Sequence, residues 1–98
     1  MLRYQIKTND VVRKKIAKAG GETSVVKRIA DGLRWRLAHD PNVGTVIDGE
    51  MNVRQIKSVK QNPDDPVVIL QYRMVQGDDY YDMELMDIKI IPWINSYN

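Results

Sequence analysis

The stretch Val67-Val68-Ile69-Leu70-Gln71-Tyr72-Arg73-Met74-Val75, closed by Gln76-Gly77-Asp78-Asp79 and followed by a second apolar-rich run from Tyr80 to Ile91, decides the architecture. Alternate residues of a strand share a face, so Val68, Leu70, Tyr72 and Met74 form one apolar side, while Ile69, Gln71 and Arg73 form the other. Glycine and aspartate between two such runs read as a hairpin turn. Upstream, Asn62-Pro63-Asp64-Asp65-Pro66 is a second turn of the same kind, joining this strand to one at 51–60. Consecutive hairpins make an antiparallel meander, with a further short strand at 45–47 ahead of it.

The final run breaks its own alternation. Tyr81, Met83 and Leu85 share one parity, and Met86, Ile88 and Ile90 share the other. A bulge or strong bend near Leu85-Met86 returns both sets to one face, because an extra residue shifts the side-chain phase by one.

Ahead of the meander the period changes. Leu2, Tyr4 and Ile6 alternate with Arg3, Gln5 and Lys7, the pattern of a half-buried strand. Thr8-Asn9-Asp10 offers N-caps for a short helix with Val12 and Ile16 on its inner side, and Gly20-Gly21 ends it. Thr23 or Ser24 caps a longer helix in which Val26, Ile29, Ala30, Leu33 and Leu37 recur at three- and four-residue steps. Pro41 stops that helix near His39. The expected fold is therefore α+β: two N-terminal helices packed on one face of an antiparallel sheet, in the order β-α-α-β-β-β(-β). The first strand is expected to join the edge of the meander, since alone it leaves its backbone groups unpaired.

With 98 residues, 43% of them hydrophobic and 29% charged, the chain has the composition of a folded globular protein and room for one core, so residues 1–98 are read as a single domain. It contains no cysteine, which excludes disulfides, thiolate metal sites and a cysteine nucleophile. No signal-peptide h-region or membrane-spanning apolar stretch is found, and a cytoplasmic protein without membrane attachment is expected. The net charge of +2 is unevenly spread. Residues 1–40 hold ten Lys/Arg against four Asp/Glu, whereas residues 41–98 hold five against nine. The basic half suits a polyanion or an acidic protein segment, or simply a solvated helix face.

The usual signatures of cofactor chemistry are missing. There is no phosphate-binding glycine loop, no paired metal ligands and no nucleophile elbow, so neither cofactor nor metal is expected. His39, the one histidine, stands at a helix end, where interaction with the terminal carbonyls is its ordinary role. Asp64-Asp65 and Asp78-Asp79 lie in turns and read as locally hydrogen-bonded, solvated carboxylates. Trp35 and Trp93 read as core or edge cover. The set with chemical interest is cationic: Arg54, Lys57, Lys60 and Arg73. Strand parity divides it, so only a subset can form one patch, with Arg54 or Lys57 beside Arg73 as a phosphate clamp or else a charged, solubilising sheet face.

Several strings in this order resemble the RelE/ParE superfamily of toxins from type II toxin-antitoxin pairs. These are Tyr4-Gln5-Ile6-Lys7; Leu37-Ala38-His39-Asp40-Pro41, similar to a recurrent Leu-x-x-x-Pro; Val53-Arg54-Gln55-Ile56-Lys57; and Val68-Ile69-Leu70-Gln71-Tyr72-Arg73, similar to a Val-Ile-Tyr-Arg strand. The resemblance implies a toxin held by a cognate antitoxin protein. With the sheet cations, it implies metal-independent endoribonuclease activity on ribosome-bound mRNA as the expected function; the alternative, from the other branch, is inhibition of DNA gyrase by protein binding. By position it assigns catalytic roles to Arg54, Lys57, Arg73 and Tyr97. RNA cleavage needs these groups around one phosphate, and Arg54 and Arg73 on opposite sheet faces would be incompatible with it. Where the family often carries a His-Arg pair, this chain has Ile91-Pro92-Trp93-Ile94-Asn95-Ser96-Tyr97, whose one titratable side chain is the tyrosine. That departure leaves open the gyrase-type toxin and a non-catalytic binding module on the same fold.

Overall fold

The computed structural model describes residues 3–21, 24–47, 53–76 and 80–91. Strand β1 (Arg3–Thr8) leads into helices α1 (Asp10–Lys18) and α2 (Val25–His39), followed by strands β2 (Thr45–Val46), β3 (Val53–Lys57), β4 (Val67–Gln76) and β5 (Tyr80–Ile91). These strands form one sheet in the order β1-β5-β4-β3-β2. The α+β class and the edge position of β1 are as the sequence predicts. The sheet is antiparallel from β2 to β5, but β1 runs parallel to β5 and makes the whole sheet mixed. The reason is directional: successive hairpins reverse the chain until β5 points along β1.

Local signals set the helix ends. The Asn9 side chain accepts from the Val11 amide at 2.9 Å, and Ser24 Oγ accepts from the Lys27 amide at 3.1 Å, each satisfying a donor that a helix start leaves open. Between the helices, Gly20 and Gly21 take φ values of 119° and 76°, in the left-handed region that side chains disfavour. The apolar stripe of α2 is buried at Val26, Ala30, Leu33 and Leu37, facing Val68, Leu70 and Tyr72 of β4 and Met83, Leu85 and Ile88 of β5. Both helices lie on this one face.

Register confirms the phase shift in β5. Tyr72 is opposite Leu85 and Gln71 is opposite Asp87, so Met86 is the extra residue of a β-bulge. Met83, Leu85 and Ile88 are consequently all buried on the helix side.

Strand β1 stops opposite Leu85, and the Asn9 amide donates to the Leu85 carbonyl at 3.0 Å as the chain turns into α1. Beyond that point β5 loses its β1 neighbour. Lys15 of α1 closes part of the gap: its Nζ reaches Asp87 Oδ1 at 2.7 Å and the Ile88 carbonyl at 3.4 Å. The Ile88 amide donates to the same Asp87 oxygen at 2.8 Å. Both outward backbone groups of Ile88 are thus occupied, which makes this edge a poor template for another strand.

Candidate functional site

Tyr72 organises the connection between α2 and β2. It is fully buried, its hydroxyl donates to the Pro41 carbonyl at 3.0 Å, and it accepts from the Gly44 amide at 3.0 Å. Burial pushes its hydroxyl above the ordinary phenol range, partly offset by the Gly44 hydrogen bond and by the nearby Arg54 charge. Gly44 is required by proximity: a β-carbon there would collide with the Tyr72 hydroxyl and come within 2.7 Å of the Gln55 carbonyl oxygen. Arg54 completes the group, its Nη1 donating to the Gly44 carbonyl at 3.0 Å. The Arg54 guanidinium therefore holds the loop that Tyr72 anchors.

The other sheet cations lie elsewhere. Arg54 is in register with Tyr72 and shares the helix-side face, whereas Arg73 is in register with Val53 and projects from the opposite, uncovered face. Lys57 is on that uncovered face too, but it pairs with Ile69, about 13 Å along the strand from Arg73. Arg73 is answered by Glu84 at 3.2 Å, and Lys7 by Asp82 at 3.7 Å on the same face. Arg54, Lys57 and Arg73 are thus not brought together around one phosphate. The fourth expected site residue, Tyr97, lies outside the described residues, as do Trp93 and the Asp78-Asp79 pair.

A groove of about 690 Å³ is bounded by β1, α1 and α2. Ile6, Val12, Ile16, Ala30, Leu70 and Leu85 line it with apolar surface. Lys7, Arg13, Lys27 and Arg34 supply cationic groups, of which Lys7 meets Asp82 at 3.7 Å, Arg13 meets Asp10 at 3.4 Å and Lys27 meets Asp31 at 2.7 Å. Arg34 Nε is buried in this wall without a hydrogen-bond partner among the described residues. A buried donor left open is costly, so an acceptor delivered into the groove gains more than one bound in water. The groove suits an apolar stripe flanked by carboxylates. Among the described residues no group of three or more His, Asp or Glu could hold a metal ion, and no helix is long and apolar enough to cross a membrane.

Sequence periodicity identifies the helices of the groove but not the groove itself, which depends on how far they stand apart. Trp35 corrects its assignment to core or edge cover: it is 64% exposed on the outer side of α2. Its position was readable, since it falls opposite the stripe of Val26, Ala30, Leu33 and Leu37. His39 meets a helix-end carbonyl as expected, with its Nδ1 2.9 Å from the Trp35 oxygen, and the rings lie 4.1 Å apart. A carbonyl only accepts, so this nitrogen carries the proton. Asp65 keeps the expected local bonds to the Gln61 and Asn62 amides, but it is buried rather than solvated.

Neither a scan against models of protein families nor a search of curated proteins finds a match to this chain.

Proposed function

We propose that this chain is a protein-binding toxin of the ParE-like kind, held by a partner segment in the groove between β1, α1 and α2. The observation that carries this reading is the groove: apolar in its floor, cationic at its rim and containing an arginine donor without a partner among the described residues. An acidic amphipathic segment complements all three properties, with its apolar stripe against Ile16 and Ala30 and a carboxylate at Arg34. In the toxin reading that segment belongs to the antitoxin, and the toxin's target is a protein such as gyrase.

The division of the sheet cations supports the protein-binding branch over the ribonuclease. A nuclease assembles charge stabilisation around one phosphorane, whereas here Arg54 is engaged with the Gly44 carbonyl and Arg73 with Glu84 on the other face. Induced expression in bacteria, with growth followed beside primer extension on cellular mRNA and a supercoiling assay on purified gyrase, tests the proposal. Growth arrest with loss of supercoiling and no new RNA ends is expected. New cleavage ends would restore the ribonuclease, and unaffected growth would leave a non-toxic binding module.

A further inference from the structure

The outer side of α2 carries a second surface. Arg28, Gly32, Trp35 and His39 follow one another at steps of three and four residues, so they form a stripe on the side opposite the buried residues. Arg36 stands beside it. Trp35 is held against His39 and leaves most of its ring in water. Arg28 and Arg36 have no carboxylate partner among the described residues, unlike Lys27, Lys15 and Arg73, each of which is paired with an acid. They stand about 12 Å apart along the helix axis.

Gly32, between them, has no evident packing role. A β-carbon added there would meet nothing within 4 Å, and glycine weakens a helix interior by its conformational freedom. The gap it leaves opens onto a recess of about 330 Å³ between α2 and the loop from β3 to β4, where Ile29, Leu33 and Val59 supply apolar surface beside Ser58, Gln61 and Asp65. An exposed aromatic ring, two guanidiniums without a carboxylate partner among the described residues and a partly apolar recess are components of a protein-binding hot spot.

We infer that this face docks an acidic segment of a partner protein, which places an apolar side chain in the recess over Gly32 and carboxylates on Arg28 and Arg36. The charge pattern favours a protein over a nucleic acid. Two cations about 12 Å apart on the helix suit a pair of carboxylates on one short segment, whereas binding to a phosphate backbone draws on a longer run of cations. Asp65 turns one carboxylate oxygen toward the Asn62 amide at 3.1 Å, and Asp31 is tied to Lys27, which leaves the two arginines as the open charges of the stripe. This surface is separate from the groove, because Lys27, Asp31 and Arg34 line the groove on another side of α2. The inference does not rest on the toxin reading.

The test is solution NMR of the isotopically labelled full chain, titrated with the peptide acetyl-Glu-Glu-Leu-Glu-Glu-amide and, separately, with a uridine oligonucleotide of equal charge. Saturable shifts of the Gly32 amide and the Trp35 indole N–H with the peptide are expected, with affinity at least tenfold weaker in Arg28→Gln/Arg36→Gln. Gly32→Leu fills the recess without straining the helix, so it should abolish the shifts while thermal stability is kept or raised, which separates lost binding from lost folding. Tighter binding of the oligonucleotide, shifts confined to the α1 lysines, or no shift at the Gly32 and Trp35 signals would each overturn the inference. Growth arrest does not enter the readout, so the fate of the toxin proposal leaves this result unchanged.

Discussion

The Tyr72 hydroxyl lies 3.0 Å from the Gly44 amide nitrogen, although the residues are 28 positions apart, and this bond ties the central strand of the sheet to the loop that leaves α2. The same hydroxyl donates to the Pro41 carbonyl, so one oxygen satisfies two backbone groups in a buried setting. Tyr72→Phe strands both. A loss of about 1 to 3 kcal/mol is expected, read as a lower urea midpoint with an unchanged slope.

Gly44→Ala should cost about as much or more, near 3 kcal/mol, because the new methyl group has nowhere to go. Combining it with Tyr72→Phe should not restore stability. The Gln55 carbonyl oxygen and the Tyr72 ring carbon, both 2.7 Å from the added atom, remain in the way. Recovery in the double variant would mean that the hydroxyl alone sets the clash.

Acid should weaken the contact of α1 with the free edge of β5. The hydrogen bond from Lys15, opposed by partial burial and assisted by the Ile88 amide, holds the Asp87 carboxyl below its ordinary range. A lowered folded-state pKa means that the contribution is present above the unfolded value, roughly pH 4, and is lost as pH falls through the folded value. Water screens this half-exposed pair, so its worth is at most about 1 kcal/mol. Asp87→Asn and the native chain should differ in stability at neutral pH and converge below that range in denaturation curves.

The sheet cations should separate by phenotype. Arg54→Ala removes a charged donor from the Gly44 carbonyl and should lower stability by about 1 to 2 kcal/mol. Arg73→Ala loses a half-exposed ion pair with Glu84 and should change stability by less than about 1 kcal/mol. Under the proposed function, Arg73→Ala and Lys57→Ala both leave growth arrest intact. Loss of arrest in either variant, with folding retained, would count against the protein-binding reading.

Gly32→Ala should stabilise the domain by about 1 kcal/mol, since an alanine fits an exposed helix interior better than glycine. A higher thermal midpoint is the check. A lower one would reveal a backbone contact at Gly32 that needs the missing side chain.

Helix and strand positions were readable because each follows from neighbours in sequence. Val26, Ala30, Leu33 and Leu37 mark a buried helical stripe, and the switch of parity between Leu85 and Met86 marks a bulge that the register places at Met86. The parallel pairing of β1 was not readable, because it depends on the direction of β5 after several reversals. For the site, alternation alone divides Arg54 from Arg73 once their strands are aligned, but that alignment is a long-range fact: Arg54 opposes Tyr72 and Val53 opposes Arg73. The groove and the recess beside Gly32 are spaces between elements, and no local pattern encodes such a space.

The pairing of β1 with β5 also constrains when the fold can form. Arg3 aligns with Tyr80 and Thr8 with Leu85, so β1 finds its neighbour only after all the intervening chain has been synthesised. Until then, the apolar sides of α1 and α2 lack the Met83, Leu85 and Ile88 surface that covers them. Closing so long a loop delays the decisive contacts, and completion of the core therefore waits for β5, which until then leaves the helices open to chaperones or to an early-binding partner.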